Sequence, residues 1–123
     1  MMTPNLTILY VDSPEQSAAF YEKLLGTSPV ERSPTFAMFI FPGGLKLGLW
    51  SRHTVVPAAT GTPGLFELAI PLADPSTVDA AYDQLSTDGH PTLQTPTDME
   101  FGRTFVITDP DGHRIRFYNP PAR

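Results

Sequence analysis

The stretch that decides the fold is Arg103–Tyr118, RTFVITDPDGHRIRFY, which predicts two short strands joined by a tight turn at Asp109–Gly112. Proline presets φ at the second position of such a turn, and glycine supplies a position with positive φ. An earlier stretch, Phe36–Trp50 (FAMFIFPGGLKLGLW), has the same plan, with its turn at Pro42–Gly44. An offset of 68 residues aligns the prolines of the two turns. The hairpin is therefore one half of an internal repeat.

The segments that precede these hairpins repeat as well, with an offset of 61 residues. Asn5–Asp12 and Leu65–Leu72 both predict strands, and each is followed by a helix start. Ser13 is a good N-cap, with Gln16 completing a capping box, and Asp74 takes the same place in the second half. The first helix is expected to end at Gly26, and the second at Gly89. Two weaker strands, Ser28–Ser33 and Thr92–Thr95, and a loop over Thr97–Gly102 complete the halves.

These elements predict an α+β fold made of two βαβββ modules. Each module is too small for a core of its own, so we expect the modules to pair into a curved mixed sheet around a cleft, with the helices outside. The chain of 1–123 is then a single domain, with module one at about 5–50, a linker at about 51–63 and module two at about 64–119.

Composition narrows the class of function. The chain has no cysteine, which excludes disulfides, thiolate metal sites and cysteine nucleophiles. A formal charge of −5 argues against nucleic acid as a partner. The longest apolar run, Phe36–Phe41, is far too short to span a membrane, and residues 1–5 lack the basic start of a signal peptide. The expectation is a cytoplasmic protein that handles a small molecule.

Three motifs then connect the chain to a family: Tyr10–Asp12 (YVD), Phe20–Gly26 (FYEKLLG) and Asp109–His113 (DPDGH). Together they resemble the vicinal oxygen chelate superfamily, which includes glyoxalase I, extradiol dioxygenases, fosfomycin resistance enzymes and bleomycin-resistance proteins. The resemblance covers nearly the whole chain, and it implies the glyoxalase/bleomycin resistance fold.

A narrower resemblance rests on Leu49–His53 (LWSRH), Pro96–Met99 (PTDM) and Phe101–Phe105 (FGRTF). These segments are similar to small proteins grouped with phenazine-antibiotic resistance. That resemblance implies binding of the drug rather than its transformation. It also implies a homodimer, with two sites each lined by both subunits.

Enzymes of the superfamily hold a divalent metal on the first and fourth strands of each module, and the resemblance places those positions at Leu6, Gly48, Glu67 and Arg116. The two repeat offsets relate the same positions in pairs. A divalent site needs three or four converging N or O donors. Here only Glu67 could coordinate, because the others are an apolar side chain, a glycine and a permanent cation. We therefore expect no metal and no cofactor.

The three histidines do not restore a metal site. His53 follows the fourth strand, His90 lies in a Gly-His-Pro turn, and His113 alternates with the arginines of the last strand. For each, a surface or hydrogen-bonded structural role is the expectation. His53 also borders the mouth of the expected cleft.

Strand alternation predicts which side chains line the cleft. The set is mostly apolar and aromatic with a few charges, which suits a flat, hydrophobic, aromatic ligand. The candidate ligand-binding residues are Trp50, Tyr118, Arg116, Glu67, Phe36, Met38, Tyr10, Arg103, Asp98 and His53.

Several of these candidates have a structural alternative. Trp50 could be a buried sheet-end residue or a dimer contact instead of a stacking platform. Glu67 and Arg116 could form an ion pair across the pseudo-twofold, whereas Arg116 could instead hold a ligand carboxylate. Arg103 and Asp98 lie at the cleft rim in this interpretation, and their alternative is a solvated loop salt bridge.

The leading functional hypothesis is metal-free sequestration of a planar aromatic molecule, phenazine-like by resemblance, with no catalytic residue. The alternative is a divergent glyoxalase- or dioxygenase-like enzyme, or a metal-free enzyme using Glu67 as a base. An apolar cleft would raise the pKa of such a base, but Arg116 beside it would lower it. A third hypothesis is a dimeric scaffold that binds no ligand.

Overall fold

The computed structural model describes residues 1–120, so the last three residues of the expected 1–123 domain lie outside the described part. The chain forms two compact units, one of residues 1–61 and one that begins at Thr62. Each unit is a βαβββ module with its own four-stranded sheet, which confirms the α+β fold class. Within residues 1–120, no helix has the length and apolar character needed to cross a membrane.

Module one contains the elements β1 (Leu6–Val11), α1 (Pro14–Leu25), β2 (Glu31–Arg32), β3 (Phe36–Ile40) and β4 (Lys46–Ser51). Its sheet has the order β1-β4-β3-β2, in which β1 and β4 are parallel and the other pairs antiparallel.

Module two contains β5 (Glu67–Pro71), α2 (Pro75–Thr87), β6 (Thr92–Met99), β7 (Gly102–Thr108) and β8 (Arg114–Tyr118). Its sheet has the equivalent order β5-β8-β7-β6, again with one parallel pair, β5 and β8.

The internal repeat holds at the level of single residue pairs. Leu6 pairs with Lys46 in module one, and Glu67 pairs with Arg114 in module two. These partners are related by the offsets of 61 and 68 residues, respectively, that the sequence predicts. Both modules therefore have the same strand register, and any difference between their surfaces comes from side chains.

Both helices begin at the predicted caps. The Ser13 hydroxyl accepts a hydrogen bond from the Gln16 amide at 3.2 Å, and α1 ends at Gly26 with φ 69°. In α2 the Asp74 carboxylate accepts from the Thr77 amide at 2.7 Å. The caps fix the residue at which each helix begins.

Each helix covers one face of its own sheet, where the alternating apolar residues of the strands are buried. In module one, Leu9, Val11, Phe39 and Leu49 are at most 4% exposed on this face. In module two, Tyr82 of α2 lies edge-on against Phe105, with ring centroids 5.4 Å apart. We call the opposite face of each sheet the open face of that module.

Two strand predictions need correction. The strand predicted over Ser28–Ser33 is only two residues long, because β2 pairs with β3 at Glu31 and Arg32 alone. The loop predicted over Thr97–Gly102 is wrong, since β6 continues to Met99 and forms a hairpin with β7. Register shifts interrupt this pairing between Thr92 and Gln94 and between Gln94 and Thr97, and the residues of β6 do not alternate between apolar and polar types as a predictable strand would.

Gly102 begins β7 where another backbone passes close by. Its φ is 123°, and a Cβ there would collide with the carbonyl oxygen of Asn119. The Asn119 amide donates to the Arg103 carbonyl at 3.0 Å, which holds the two chain segments together. Glycine is required here for conformation and for space.

Candidate functional site

The open face of module one carries three rows of side chains that run across β1, β4 and β3. Cross-strand pairing defines the rows as Leu6–Lys46–Ile40, Ile8–Gly48–Met38 and Tyr10–Trp50–Phe36. The third row is aromatic at every position. The face is therefore apolar with one cationic corner, as alternation predicts.

Trp50 lies at the middle of the aromatic row. Its ring centroid is 6.3 Å from that of Phe36, with an angle of 88° between the ring planes. Both rings are half-buried, whereas Tyr10 is 43% exposed. Trp50 is thus not a fully buried core residue, and part of its surface remains available for contact.

Gly48 occupies the centre of this face and makes room for a neighbouring ring. A Cβ at Gly48 would lie 3.1 Å from Cζ of Phe36 and 3.4 Å from Cγ1 of Ile8. The Phe36 ring therefore fills the space that a side chain at the family's metal position would need. The glycine is explained by packing, which the sequence alone did not predict.

A charged group follows the aromatic row at the ends of β1 and β4. The imidazole Nε2 of His53 lies 2.7 Å from Oδ1 of Asp12, and a guanidinium nitrogen of Arg52 lies 3.6 Å from the same oxygen. The hydrogen bond with His53 is the main cause that lowers the pKa of Asp12. His53 has the hydrogen-bonded role expected of it, in an exposed position beside the row.

The open face of module two has the same rows but a polar centre. The rows are Glu67–Arg114–Thr108, Ala69–Arg116–Val106 and Pro71–Tyr118–Thr104. Arg116 takes the place that Gly48 has in module one, and Tyr118 the place of Trp50. The repeat thus presents one aromatic open face and one charged open face.

Arg116 and Glu67 form a bidentate ion pair. Nε and one terminal nitrogen of Arg116 each donate to a different carboxylate oxygen of Glu67 at 2.8 Å. The other terminal nitrogen donates to Gln94 at 3.0 Å and to Thr104 at 3.2 Å. All three nitrogens of the guanidinium therefore have partners within module two.

This arrangement corresponds to the ion-pair alternative for Arg116. The pair joins adjacent strands of one module, so the expectation that it spans the pseudo-twofold is wrong. The guanidinium edge that could hold a ligand carboxylate faces Glu67 instead.

The same hydrogen bonds make Glu67 a weak base. Hydrogen bonding by Arg116 is the main cause that lowers the pKa of Glu67, and the nearby positive charges of Arg116 and Arg114 lower it further. The same pair raises the pKa of Arg116. Glu67 is therefore ionised near neutral pH, and its affinity for a proton is reduced.

Tyr118 lies beside a residue that sequence reasoning missed. The Phe101 ring is edge-on to Tyr118 with centroids 6.2 Å apart, and the guanidinium carbon of Arg116 is 5.7 Å from the centre of the Phe101 ring. The contact is a cation–π interaction. Phe101 was overlooked because it falls in the segment predicted as a loop.

Arg103 and Asp98 do not belong to the open face. Arg103 donates to Asp98 at 3.0 Å and, through Nε, to Asp79 of α2 at 2.7 Å. Arg103 therefore lies on the helix-covered side of the sheet, which corrects the expectation of a cleft rim. The ion pair with Asp98 matches the structural alternative, although it lies in a hairpin rather than in a loop. No sequence signal indicated Asp79.

The residues do not fit the divalent metal of the superfamily. In module one, Leu6 and Gly48 offer no donor, and the space above Gly48 holds the Phe36 ring. In module two, Arg116 occupies one ligand position and engages both oxygens of Glu67. Across residues 1–120, no group of three or more His, Cys, Asp or Glu side chains is placed to hold a metal ion.

Comparison with known proteins gives the class. The family model of the Glyoxalase/Bleomycin resistance protein/Dioxygenase superfamily matches residues 3–117. Because this match spans nearly the whole chain, the chain belongs to that superfamily.

Among individual relatives, the phenazine antibiotic resistance protein EhpR of Enterobacter agglomerans is 33% identical over 118 residues, which cover 94% of this chain and 90% of EhpR. A protein of Agrobacterium tumefaciens solved by NMR in solution is 49% identical with a TM-score of 0.90, covering 99% of this chain and 100% of that one. A glyoxalase/bleomycin resistance protein/dioxygenase from Nocardioides is 28% identical with a TM-score of 0.81, covering 100% of this chain and 89% of that one. These similarities confirm the glyoxalase/bleomycin resistance fold.

Proposed function

We propose that this protein binds and sequesters a planar aromatic small molecule of the phenazine type, without a metal and without transforming it. The observation that carries the proposal is the aromatic row Tyr10–Trp50–Phe36 on the open face of module one. Flat aromatic ligands gain from stacking and edge contacts with such rings. The similarity to EhpR, a phenazine antibiotic resistance protein, supports the choice of ligand class.

The test uses Trp50, which is the only tryptophan and therefore reports one place in the molecule. Titration with phenazine-1-carboxamide should quench its fluorescence saturably, and the ligand should be recovered unchanged. N-acetyltryptophanamide, titrated in parallel, corrects for light absorbed by the phenazine. The absence of both quenching and thermal stabilisation across a panel of planar aromatics would sink the proposal.

Variants locate the site independently of fluorescence. In equilibrium dialysis, Trp50→Ala and Phe36→Ala should each weaken binding about tenfold, which is the loss expected for one aromatic contact and its buried area. Leu45→Ala is the matched control, because this exposed apolar residue of the same module lies just before β4 and outside the row. Equal losses in all three variants would contradict a site at the row.

We also propose that the protein acts as a homodimer, with sites lined by both subunits. Apolar residues of the open face of module one support this, since Leu6, Ile8 and Ile40 remain 38–42% exposed in the single chain. Sedimentation velocity should give about twice the chain mass of 13.5 kDa. A protein that sediments as a monomer and still binds the ligand would contradict the homodimer and leave the proposed binding in place.

Elemental analysis separates binding from the alternative of a metal-dependent lyase or dioxygenase. Protein purified without chelator should contain no stoichiometric Ni, Zn, Mn or Fe, because the four family positions supply one donor residue that is already ion-paired. A stoichiometric metal that restores turnover of a small metabolite would overturn metal-free binding.

A further inference from the structure

A concavity of about 350 Å³ lies on the open face of module two, and the function proposed above does not use it. It is lined by Leu93, Gln94, Val106, Arg114 and Arg116. Its volume is in the range of sites that hold small organic molecules. The lining combines two guanidinium groups, one amide and two apolar side chains, so a ligand there would meet charge at one end and hydrocarbon at the other.

The register of β6 explains why the concavity exists. Thr92 pairs with Ile107 and Gln94 pairs with Val106, so Leu93 is an extra residue on this strand. Such an irregularity brings two consecutive side chains to the same side of a sheet. Leu93 and Gln94 both line the concavity for this reason, and Leu93 keeps 55% of its surface exposed.

The two arginines of the concavity differ in their availability. Arg116 is held by Glu67, Gln94 and Thr104. Arg114 lies directly opposite Glu67 in the strand register, yet both oxygens of Glu67 are engaged by Arg116. Arg114 is exposed, and within residues 1–120 it has no salt-bridge partner. Among the described residues, none accepts a hydrogen bond from its guanidinium, which leaves two parallel N–H donors available for a ligand.

We propose that this concavity is a binding site for a small organic carboxylate, with Arg114 holding the carboxylate and Leu93 and Val106 contacting its apolar body. A guanidinium matches a planar carboxylate through two parallel hydrogen bonds. Local charge supports the sign of the ligand, because the face carries two arginines against one glutamate. None of the lining residues belongs to the aromatic row of module one.

The test is a titration of ¹⁵N-labelled protein with benzoate, monitored by amide chemical shifts. Benzoate should produce saturable shifts confined to residues 92–94, 106 and 114–116. Benzamide, which has the same shape without the charge, should bind about tenfold more weakly, the loss expected for charge-assisted hydrogen bonds. Equal binding of the two compounds would overturn the role of the carboxylate.

Variants assign the role to Arg114. Arg114→Gln should weaken benzoate binding about tenfold, and Arg114→Lys should recover only part of it, because lysine keeps the charge but lacks the fork. Lys46→Gln is the matched control. Lys46 is the repeat equivalent of Arg114 on module one, and its replacement by glutamine removes the same charge. Losses of the same size in Arg114→Gln and Lys46→Gln would show a net-charge effect and overturn the site.

Inorganic phosphate tests whether the apolar part matters. Phosphate should produce weaker shifts than benzoate and none at Leu93, because it has no hydrocarbon to contact this side chain. Phosphate shifts that equal those of benzoate would overturn the carboxylate assignment in favour of a general anion site. No localised shifts with any probe at millimolar concentration would overturn the proposal as a whole.

Discussion

At the scale of single residues, the two modules differ at the equivalent repeat positions Gly48 and Arg116. The backbone register is the same at both positions. Gly48 leaves space for the Phe36 ring, whereas Arg116 places a guanidinium on its sheet face. Arg116 uses all three nitrogens on partners of its own module. These hydrogen bonds hold the Glu67 and Gln94 side chains in place.

Replacing the Arg116 guanidinium should destabilise the protein. Arg116→Gln should lower the free energy of unfolding by about 1–2 kcal/mol, a value reduced from that of a buried charged hydrogen bond because both side chains keep some exposure. Chemical denaturation at neutral pH measures the loss. Arg114→Gln is the control, because it removes one nearby positive charge and leaves the bidentate pair of Arg116 with Glu67 intact. Equal losses of stability in both variants would contradict a specific contribution of the Arg116–Glu67 pair.

The pH dependence of this loss follows from Glu67. Its pKa is lowered in the folded state by hydrogen bonding to Arg116, so the stabilisation is present above the ordinary glutamate pKa of about 4.3 and is lost as the pH falls through the folded value. The gap in stability between the wild type and Arg116→Gln should therefore narrow in acid. Carboxyl NMR should show the pKa of Glu67 higher in the variant. A gap that widens in acid would be incompatible with this assignment.

Gly48 should be sensitive to a single methyl group. Gly48→Ala places a Cβ 3.1 Å from the Phe36 ring, closer than most real Cβ contacts, so the ring must move. We expect a loss of about 1–2 kcal/mol in stability, typical of overpacking, together with weaker phenazine binding. Phe36→Leu combined with Gly48→Ala should recover part of the stability. Additive losses in that double-mutant cycle would show that the ring is not the obstacle.

At the scale of elements, the helices were the most predictable parts of the chain. Local hydrogen bonds decide where they begin, and the residues that make these bonds are neighbours in the sequence. β6 was the least predictable, because its residue types do not alternate, two register shifts interrupt its pairing between Thr92 and Thr97, and its pairing partner is a later strand. The candidate residues Phe101 and Gln94 were missed for the same reason.

The cap of α1 gives a prediction at this scale. Ser13→Ala removes the acceptor of the Gln16 amide and should cost about 1 kcal/mol of stability. Ser13→Asp keeps an acceptor oxygen at the cap and should stay near the wild type. Thermal unfolding followed by circular dichroism compares the variants. An alanine variant as stable as the wild type would mean that packing alone sets the start of α1.

At the scale of the whole molecule, two modules with one backbone plan present different chemistry. The open face of module one is aromatic and aliphatic, whereas that of module two is built around the Arg116–Glu67 ion pair and the exposed Arg114. Neither set resembles a cluster of metal ligands.

A protein that binds a drug without destroying it protects a cell only up to the amount of drug that its binding sites can hold. In cells that express this chain, the inhibitory phenazine concentration should rise in proportion to the amount of protein, and the drug should be recoverable intact from the culture. Trp50→Ala, expressed at the same level, should protect less because it binds less tightly. Protection that continues when the drug greatly exceeds the protein would indicate turnover and contradict the proposal.

The sequence by itself determined the repeat, the βαβββ order, the helix caps and the two offsets that relate the modules, because these depend on local hydrogen bonding and on strand periodicity. It also indicated that Glu67 and Arg116, which carry opposite charges, occupy two of the four positions that hold the metal in the family. Only the tertiary structure decided which partners they take, since two arginines compete for one carboxylate and geometry selects Arg116. It likewise moved Arg103 to the helix side and left Arg114 unpaired among the described residues. Partner choice depends on side-chain reach across strands, which no periodicity encodes.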